Sequence, residues 1–322
     1  MQVNRQKNVA TNKAIEQSSK QIIFPFEKIL FGYFATLSLF IIVFSKGSIA
    51  YYFYLFVNVF FVGLILFVKK QSEIQPSAFW KFLRYWLPLF LFTFMYEEAG
   101  KLIHLINKGW IDPLLVQVDQ TIFGVNLGLW VEKFDHPLLN EIFRIGYGSY
   151  YFIIIIGAAI LYFKDERREY VRMLSAVTLA FCLSYLMFII FPAQGPRFYL
   201  ADRLHTNMDG LWFSWLQQKI IEIGSFRGGA FPSSHIAVAI IVWLSLFKKH
   251  RTAFIVFTPF VITLILGTVY ARYHYTIDGI AGIALAVAIF YLFSSNVNTA
   301  TSNLYLGNRL DKHNPVKSRY SL

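Results

Sequence analysis

Residues 274–293 read HYTIDGIAGIALAVAIFYLF, a polar motif that leads directly into an apolar run. The run approaches the ~20 residues with which a helix crosses a bilayer. Residues 232–248 have the same arrangement, because PSSH at 232–235 also precedes an apolar run. Polar and ionisable groups are costly near hydrocarbon and usually mark function there. The two segments therefore predict membrane helices with functional polar and ionisable side chains at their ends.

The composition of the whole chain is that of a membrane protein. Of the 322 residues, 56% are hydrophobic and 15% are charged, and the mean hydropathy is +0.49. The 34 Phe and 19 Tyr suit aromatic belts at the membrane interfaces. The net charge of +12 lies mostly in short segments beside apolar runs, so we predict no nucleic-acid partner. The single cysteine, Cys182, excludes an intramolecular disulfide framework and a thiolate metal cluster.

Hydropathy along the chain predicts an all-α fold, a polytopic bundle of transmembrane helices. We divide the chain into a tail at 1–27, a transmembrane catalytic domain at 28–294 and a second tail at 295–322. The first tail lacks the short apolar core of a cleavable signal peptide, so the first apolar run is predicted to be a retained anchor. The eight predicted spans are 29–47, 51–68, 83–100, 145–163, 173–191, 233–248, 252–270 and 276–293.

The basic residues predict the orientation of this bundle. Eight spans place both termini on one side, and most of the 30 Lys and Arg lie in the tails and loops of that side. The positive-inside rule then makes both termini cytoplasmic. Segments 101–144 and 192–232 and the turn at 271–275 lie on the extracytoplasmic or lumenal side, together with both motifs. We expect 101–144 to form short interfacial helices that cap the membrane surface, with direct substrate contact as the alternative.

The first motif, at 228–235, has the features of an anion-binding helix start. Glycines allow close backbone approach, proline suits the first helical turn, and free N–H groups there attract anions. Ser233 and Ser234 can donate hydrogen bonds, and His235 lies in the same turn. An ordinary helix cap with an interfacial histidine is the alternative.

The second motif places His274 and Asp278 on one helical face, at i and i+4. The carboxylate can hold one ring nitrogen and leave the other nucleophilic. Two imidazoles, one with a carboxylate behind it, are the parts of a nucleophile and its acid/base partner. A purely structural His–Asp bond is the alternative.

Arginines complete the predicted site, because guanidinium groups bind phosphate oxygens bidentately. Arg197 follows the fifth span and Arg272 precedes the second motif, whereas Arg203 and Arg227 are weaker candidates. Either of the first two could instead be an interface anchor. We expect His235, His274 and Asp278 to converge with Arg197 in one outward-facing pocket.

These ordered elements, an Arg-Pro-type segment, Pro-Ser-x-His and His-x-x-x-Asp, resemble the type 2 phosphatidic acid phosphatase superfamily. The resemblance covers about 192–282 and implies a six-helix membrane core, to which the first two spans are an addition. It implies that His274 attacks phosphorus to form a phosphohistidine and that Asp278 orients it. It also implies that His235 protonates the leaving oxygen and then deprotonates the acceptor. The implied phosphate-binding groups are Arg197, Arg272, Ser233 and the backbone amide of Ser234, and no metal or cofactor is implied.

The chain departs from this family pattern at several positions. The order is Pro196-Arg197 and the usual preceding lysine is missing, while Ser234 replaces the usual glycine. Thr268 occupies the position of a usual arginine, for which Arg272 is a candidate substitute. The pattern is closer to inositol phosphorylceramide synthases, which transfer a phosphoinositol head group to a lipid alcohol. Candidates for contacting a polyol head group are Glu97, Glu98 and Lys101, with an interfacial charge cluster as the alternative.

The predicted function is therefore that of an integral membrane enzyme that cleaves a lipid phosphate ester or phosphodiester at the outer face. Its partners would be that lipid and, for transfer, a lipid alcohol such as ceramide. Hydrolysis and transfer stay open, because water and an alcohol can attack the same intermediate. A proton-coupled transporter that uses the His–Asp pair is the alternative from another class. The clustering of ionisable residues at one membrane face argues against it.

Overall fold

The computed structural model describes residues 23–300, and all of the regular secondary structure in that range is helical. Most of each predicted tail lies outside the described residues: 1–22 of the tail at 1–27, and 301–322 of the tail at 295–322. Short 3₁₀ helices cover Val131–Phe134 and Ala201–Arg203. The α-helices are α1 Pro25–Phe44, α2 Ile49–Ile74, α3 Ala78–Lys101, α4 Asp112–Phe123, α5 Leu127–Trp130, α6 Pro137–Phe163, α7 Arg167–Ile190, α8 Pro196–Tyr199, α9 Trp212–Gly224, α10 Ser234–Leu246, α11 Arg251–Tyr270 and α12 Thr276–Ala300.

The prediction of a polytopic helical bundle is confirmed. Within the described range, six helices are long and apolar enough to cross a membrane, namely α1, α2, α6, α7, α11 and α12. The two other predicted spans are also helices: α3 has charged residues at both ends, and α10 has 13 residues. The chain is therefore an integral membrane protein in which every predicted span coincides with a helix.

Helix α6 begins earlier than predicted, at Pro137 rather than at residue 145. His136 caps it, since the Nδ1 atom accepts from the backbone N–H of Leu138 at 3.3 Å. Proline at the first helical position loses no intrahelical hydrogen bond. The extra two turns carry polar side chains that hydropathy excluded from the span, including Asn140, Glu141 and Arg144.

Helices α7 and α10 lie at the centre of the bundle. Helix α7 packs against α1, α3, α10 and α12, and α10 also packs against α6 and α11. The hydroxyls of Ser175 and Thr178 on α7 donate to carbonyls one turn back, at 2.6 and 2.7 Å, so they are satisfied inside the bundle.

Small residues bring α6 and α11 close together, as is common between membrane helices. A Cβ atom at Gly146 would lie 2.7 Å from Thr263, and one at Gly267 would lie 2.5 Å from the Phe143 carbonyl oxygen. This packing places the start of α6 beside the end of α11, at the end of the bundle where both motifs lie.

Candidate active site

The starts of α10 and α12 are joined directly. Ser233 caps α10 by accepting from the Ile236 N–H, and its own N–H donates to the Asp278 carbonyl at 3.1 Å. Gly282 permits this approach, because a Cβ there would lie 2.6 Å from the Ser233 carbonyl oxygen. The two motifs, distant in sequence, are therefore held against each other by backbone contacts.

His274 is almost fully buried, and its Nδ1 has two neighbours. The Ala230 carbonyl oxygen lies 2.7 Å away and Oδ2 of Asp278 lies 3.6 Å away. The same Oδ2 accepts from the Tyr275 N–H at 2.9 Å. A proton on Nδ1 is donated to the carbonyl, which leaves the lone pair on Nε2. The predicted Asp278 stands behind the ring, but the backbone carbonyl is the closer partner.

His235 faces His274 with 5.9 Å between ring centroids. Its Nε2 lies 3.1 Å from the hydroxyl of Tyr147, and Tyr150 packs against the ring at 4.5 Å. The two tyrosines, both on α6, orient this imidazole. Both were missed in the sequence, because nothing distinguishes them from the many other aromatic residues of the spans.

Arg197 reaches the same place from α8. Its guanidinium lies over the rings of Phe198 and Tyr273, at 4.4 and 5.1 Å from their centroids, and donates to the Ser225 hydroxyl at 3.1 Å. Together with His235 and His274 it lines an inner pocket of about 60 Å³. The structure thus brings these three predicted residues together.

The remaining residues of the two motifs lie behind this pocket rather than on its wall. Ser233, Ser234 and Asp278 are buried and do not belong to its lining. The first two are in the opening of α10, and Asp278 supports His274 from the side of α12.

A larger outer cavity of about 620 Å³ adjoins the inner pocket, and the two share Arg197, Phe198, Ile221, Ser225 and Tyr273. Its wall is strongly basic, and its one acidic residue, Glu222, is paired with Lys219 at 2.9 Å. The other arginines on the wall are Arg144, Arg227 and Arg272. Arg203, a weaker sequence candidate, does not line it.

Arg272 lines the outer cavity but not the inner pocket. Its guanidinium donates to Glu132 at 2.9 Å and to the Thr206 carbonyl at 2.7 Å. Burial lowers the pKa of Arg272, although the Glu132 carboxylate opposes that effect. The structure therefore does not place this predicted phosphate ligand with the histidines, because its side chain ties the 3₁₀ segment at Glu132 to the loop at Thr206.

The three predicted head-group residues are not grouped together either. Glu97 and Lys101 are exposed, whereas Glu98 is buried inside the bundle. None of them lines the inner pocket or the outer cavity.

Two buried carboxylates on α4 hold the site loops, and the sequence reasoning missed them. Asp112 accepts from the backbone N–H groups of residues 194 and 195, both at 2.9 Å, and from the Tyr275 hydroxyl at 2.8 Å. Asp119 accepts from the N–H groups of residues 276 and 277, both at 2.9 Å, at the start of α12. Burial and the neighbouring Asp112 raise the pKa of Tyr275.

Segment 101–144 therefore does more than the predicted surface cap, because α4 bonds to the loops that carry Arg197 and His274. The available signal was the spacing of Asp112 and Asp119, seven residues or two helical turns apart, which puts both on one face of α4.

The donor set of the pocket favours an oxyanion. Imidazoles and a guanidinium can surround a phosphoryl group, and guanidinium bonds to phosphate are among the strong charge-assisted ones. Among the described residues, no three His, Cys, Asp or Glu side chains are grouped as metal ligands. Fold and site together define a class of helical membrane proteins in which two histidines and an arginine line a pocket at one end of the bundle.

Comparison with known families agrees with this class. The sequence profile of the PAP2 superfamily matches residues 114–292, which is more than half of the chain and includes both motifs. The chain therefore belongs to the PAP2 superfamily. The match runs from α4 into α12 and leaves α1, α2 and α3 outside.

One curated relative is a PA-phosphatase related-family protein of Dictyostelium discoideum, 30% identical over 212 residues. The aligned region is 58% of this chain and only 37% of the relative. No solved structure matches the chain.

Proposed function

We propose that this protein is a membrane phosphatase or phosphotransferase that acts on lipid phosphates through a phosphohistidine formed at His274. One observation carries the proposal: the Nδ1 of His274 is held by the Ala230 carbonyl, opposite His235 and in the same pocket as Arg197. Superfamily membership supports the enzyme over the transporter alternative. The charge distribution supports an extracytoplasmic or lumenal site with both termini in the cytoplasm.

In the first step, the lone pair on His274 Nε2 attacks phosphorus, and the bond from phosphorus to the leaving oxygen breaks. His235 gives its proton to that oxygen, which departs as an alcohol. The Ala230 carbonyl and the Asp278 carboxylate stabilise the positive charge that forms on the His274 ring. Arg197, which lines the inner pocket, holds the phosphoryl oxygens.

In the second step, water attacks the phosphohistidine and gives a proton to His235. The bond between phosphorus and Nε2 breaks, which returns His274 with its lone pair and releases phosphate. Both histidines end in their starting protonation states, so the cycle balances without a further reactant.

Vanadate should inhibit phosphate release from a lipid monophosphate, and chelators should leave the rate unchanged. The reason is that the pocket offers imidazoles and a guanidinium, which suit an oxyanion better than a divalent cation. The measurement is phosphate release by purified protein in detergent, with a panel of lipid phosphates, with vanadate and with a chelator. Complete loss with the chelator, restored by one specific metal, would refute the metal-independent mechanism.

A second candidate activity is transfer of a phosphorylated head group to a lipid alcohol. The outer cavity favours it, since about 620 Å³ beside the inner pocket leaves room for a head group that stays bonded to phosphorus. The departures at Ser234 and Thr268, which resemble inositol phosphorylceramide synthases, point in the same direction. The donor would be a phosphoinositol-type lipid and the acceptor a lipid alcohol such as ceramide.

With a phosphoinositol-type donor labelled in its head group, added lipid alcohol should divert label into a new lipid product. The alcohol would attack the same intermediate as water, with His235 accepting its proton. Label is followed by chromatography with and without the acceptor. If label always appears as free head-group phosphate across a panel of acceptors, transfer fails and hydrolysis stands.

A further inference from the structure

Helix α9 exposes a large apolar surface on the side away from the bundle. Trp212, Trp215 and Ile220 are 70%, 59% and 52% exposed, whereas Ser214 and Gln217 on the opposite face are buried. Single exposed apolar residues are ordinary, but two exposed tryptophans one helical turn apart form an apolar patch. In water this patch would be an association or aggregation site.

Helix α9 is held against α6, a membrane-spanning helix, and this position indicates what covers the patch. Glu141 on α6 accepts from the N–H groups of Phe213 and Ser214, at 2.7 and 3.0 Å. Gln217 donates to the Arg144 carbonyl at 2.8 Å. Further along α6, a Cβ at Gly148 would lie 2.8 Å from the Phe213 ring. Helix α9 therefore packs against residues 141–148 of a membrane-spanning helix.

This stretch of α6 crosses the end of the span that hydropathy predicts, because that span begins at residue 145. The 27 residues of α6 rise about 40 Å, which exceeds the ~30 Å hydrocarbon core. Residues 141–148 lie about 6 to 17 Å from the first residue of α6 along its axis. Leu138, Ile142 and Ile145 on the same part of α6 are also exposed apolar residues.

The flank of α9 forms part of the outer cavity. Gln218, Ile221 and Glu222 line that cavity, while Trp212 and Trp215 point elsewhere. One short helix thus separates the basic cavity from the surface where lipid would lie.

We propose that α9 is an interfacial helix that inserts Trp212 and Trp215 among the lipids of the adjacent leaflet, and that lipid substrate enters the outer cavity along it. Tryptophan is enriched at this depth, and amphipathic helices bind there through their buried apolar area. The entry route rests on the proposed function, but the membrane contact of α9 does not.

The membrane contact is tested on protein in nanodiscs. One cysteine at a time is introduced beside the native Cys182 and labelled with an environment-sensitive fluorophore. Trp212→Cys and Trp215→Cys are compared with Asp202→Cys, an exposed position in the 3₁₀ helix Ala201–Arg203 at the same end of the bundle. Wild-type protein measures the background, because Cys182 is buried. We expect blue-shifted emission quenched by spin-labelled lipids at residues 212 and 215, and emission quenched by aqueous iodide at 202.

Two results would overturn the membrane contact. One is iodide quenching at residues 212 and 215 equal to that at 202. The other is protection of residues 212 and 215 from iodide that disappears when the protein is diluted to one copy per disc. That result would show that a second copy of the protein, and not lipid, covers the patch.

The entry route is tested by the double variant Trp212→Ser, Trp215→Ser. The KM for a long-chain lipid phosphate in vesicles should rise by at least about tenfold, since interfacial binding scales with buried apolar area. The kcat/KM for a short-chain, water-soluble phosphate ester should be unchanged. Equal effects on both substrates would contradict the route. If the wild type cleaves neither substrate, the proposed function fails, while the fluorescence result still decides the contact of α9.

Discussion

Replacing His274 with alanine should abolish turnover, with a loss of at least about 10⁴-fold, as expected when a covalent nucleophile is removed. The Ala230 carbonyl accepts from Nδ1 of this ring, which leaves the lone pair of Nε2 free for attack inside the inner pocket. The measurement is phosphate release from a lipid phosphate by purified variant and wild type.

His250→Ala is the matched control. It removes the same side chain at the start of α11, at the opposite end of the bundle from the pocket. This variant should keep wild-type activity, and both variants should elute as the wild type does on size exclusion. Near-normal activity in a correctly folded His274→Ala variant would show that another group is the nucleophile.

Replacing His235 with alanine should lower the rate on a lipid alkyl phosphate by about 10²–10⁴-fold, the usual range for acid/base catalysis. An aryl phosphate, whose leaving oxygen needs no proton, should still phosphorylate His274. The phosphoenzyme should then accumulate, because the variant lacks the base that activates water. Rapid quench with both substrates separates the two steps.

The results with the alkyl phosphate and with the aryl phosphate together test whether His235 is the acid/base catalyst. A loss below about tenfold on the alkyl ester would remove it from acid/base catalysis. An aryl phosphate that fails to label the variant at all would instead assign His235 to phosphate binding.

Hydropathy was sufficient to predict the long apolar helices because it is a local property, whereas it did not predict the short helices α8 and α9. A run of apolar residues long enough to cross a bilayer must form its backbone hydrogen bonds internally, so each such run is a helix. The boundary of α6 was placed too late, since its first two turns carry Asn140, Glu141 and Arg144. Their polar atoms are satisfied by α9 and the preceding loops, which hydropathy does not include.

The histidines could also be found from the sequence, since each lies in a motif at the end of an apolar run. Their closest partners could not. The Ala230 carbonyl that bonds His274 comes from a residue 44 positions away, and a backbone carbonyl has no sequence signature. The same holds for the N–H groups that Asp112 and Asp119 bind, although the spacing of these carboxylates was visible.

The predicted orientation of the helices in the membrane places a residue at one end of a span, but it does not predict towards which side of the helix its side chain points. Glu97 and Glu98 are neighbours at the same depth, but successive residues on a helix point about 100° apart. Glu97 is therefore exposed while Glu98 is buried among the helices. Arg272 is close to His274 in sequence, but both lie in the turn at 271–275, and the Arg272 guanidinium pairs with Glu132 outside the inner pocket.

The central claim is that phosphorus is bonded to His274 during turnover, and mapping the phosphoenzyme tests it most directly. Wild type and His235→Ala are mixed with an aryl phosphate labelled at phosphorus, quenched with base within milliseconds and digested for mass spectrometry. The mechanism predicts base-stable, acid-labile label on the peptide that contains His274, in greater amount in His235→Ala and absent from His274→Ala. Label on Ser233, Ser234 or Asp278, or label that persists in His274→Ala, would contradict it.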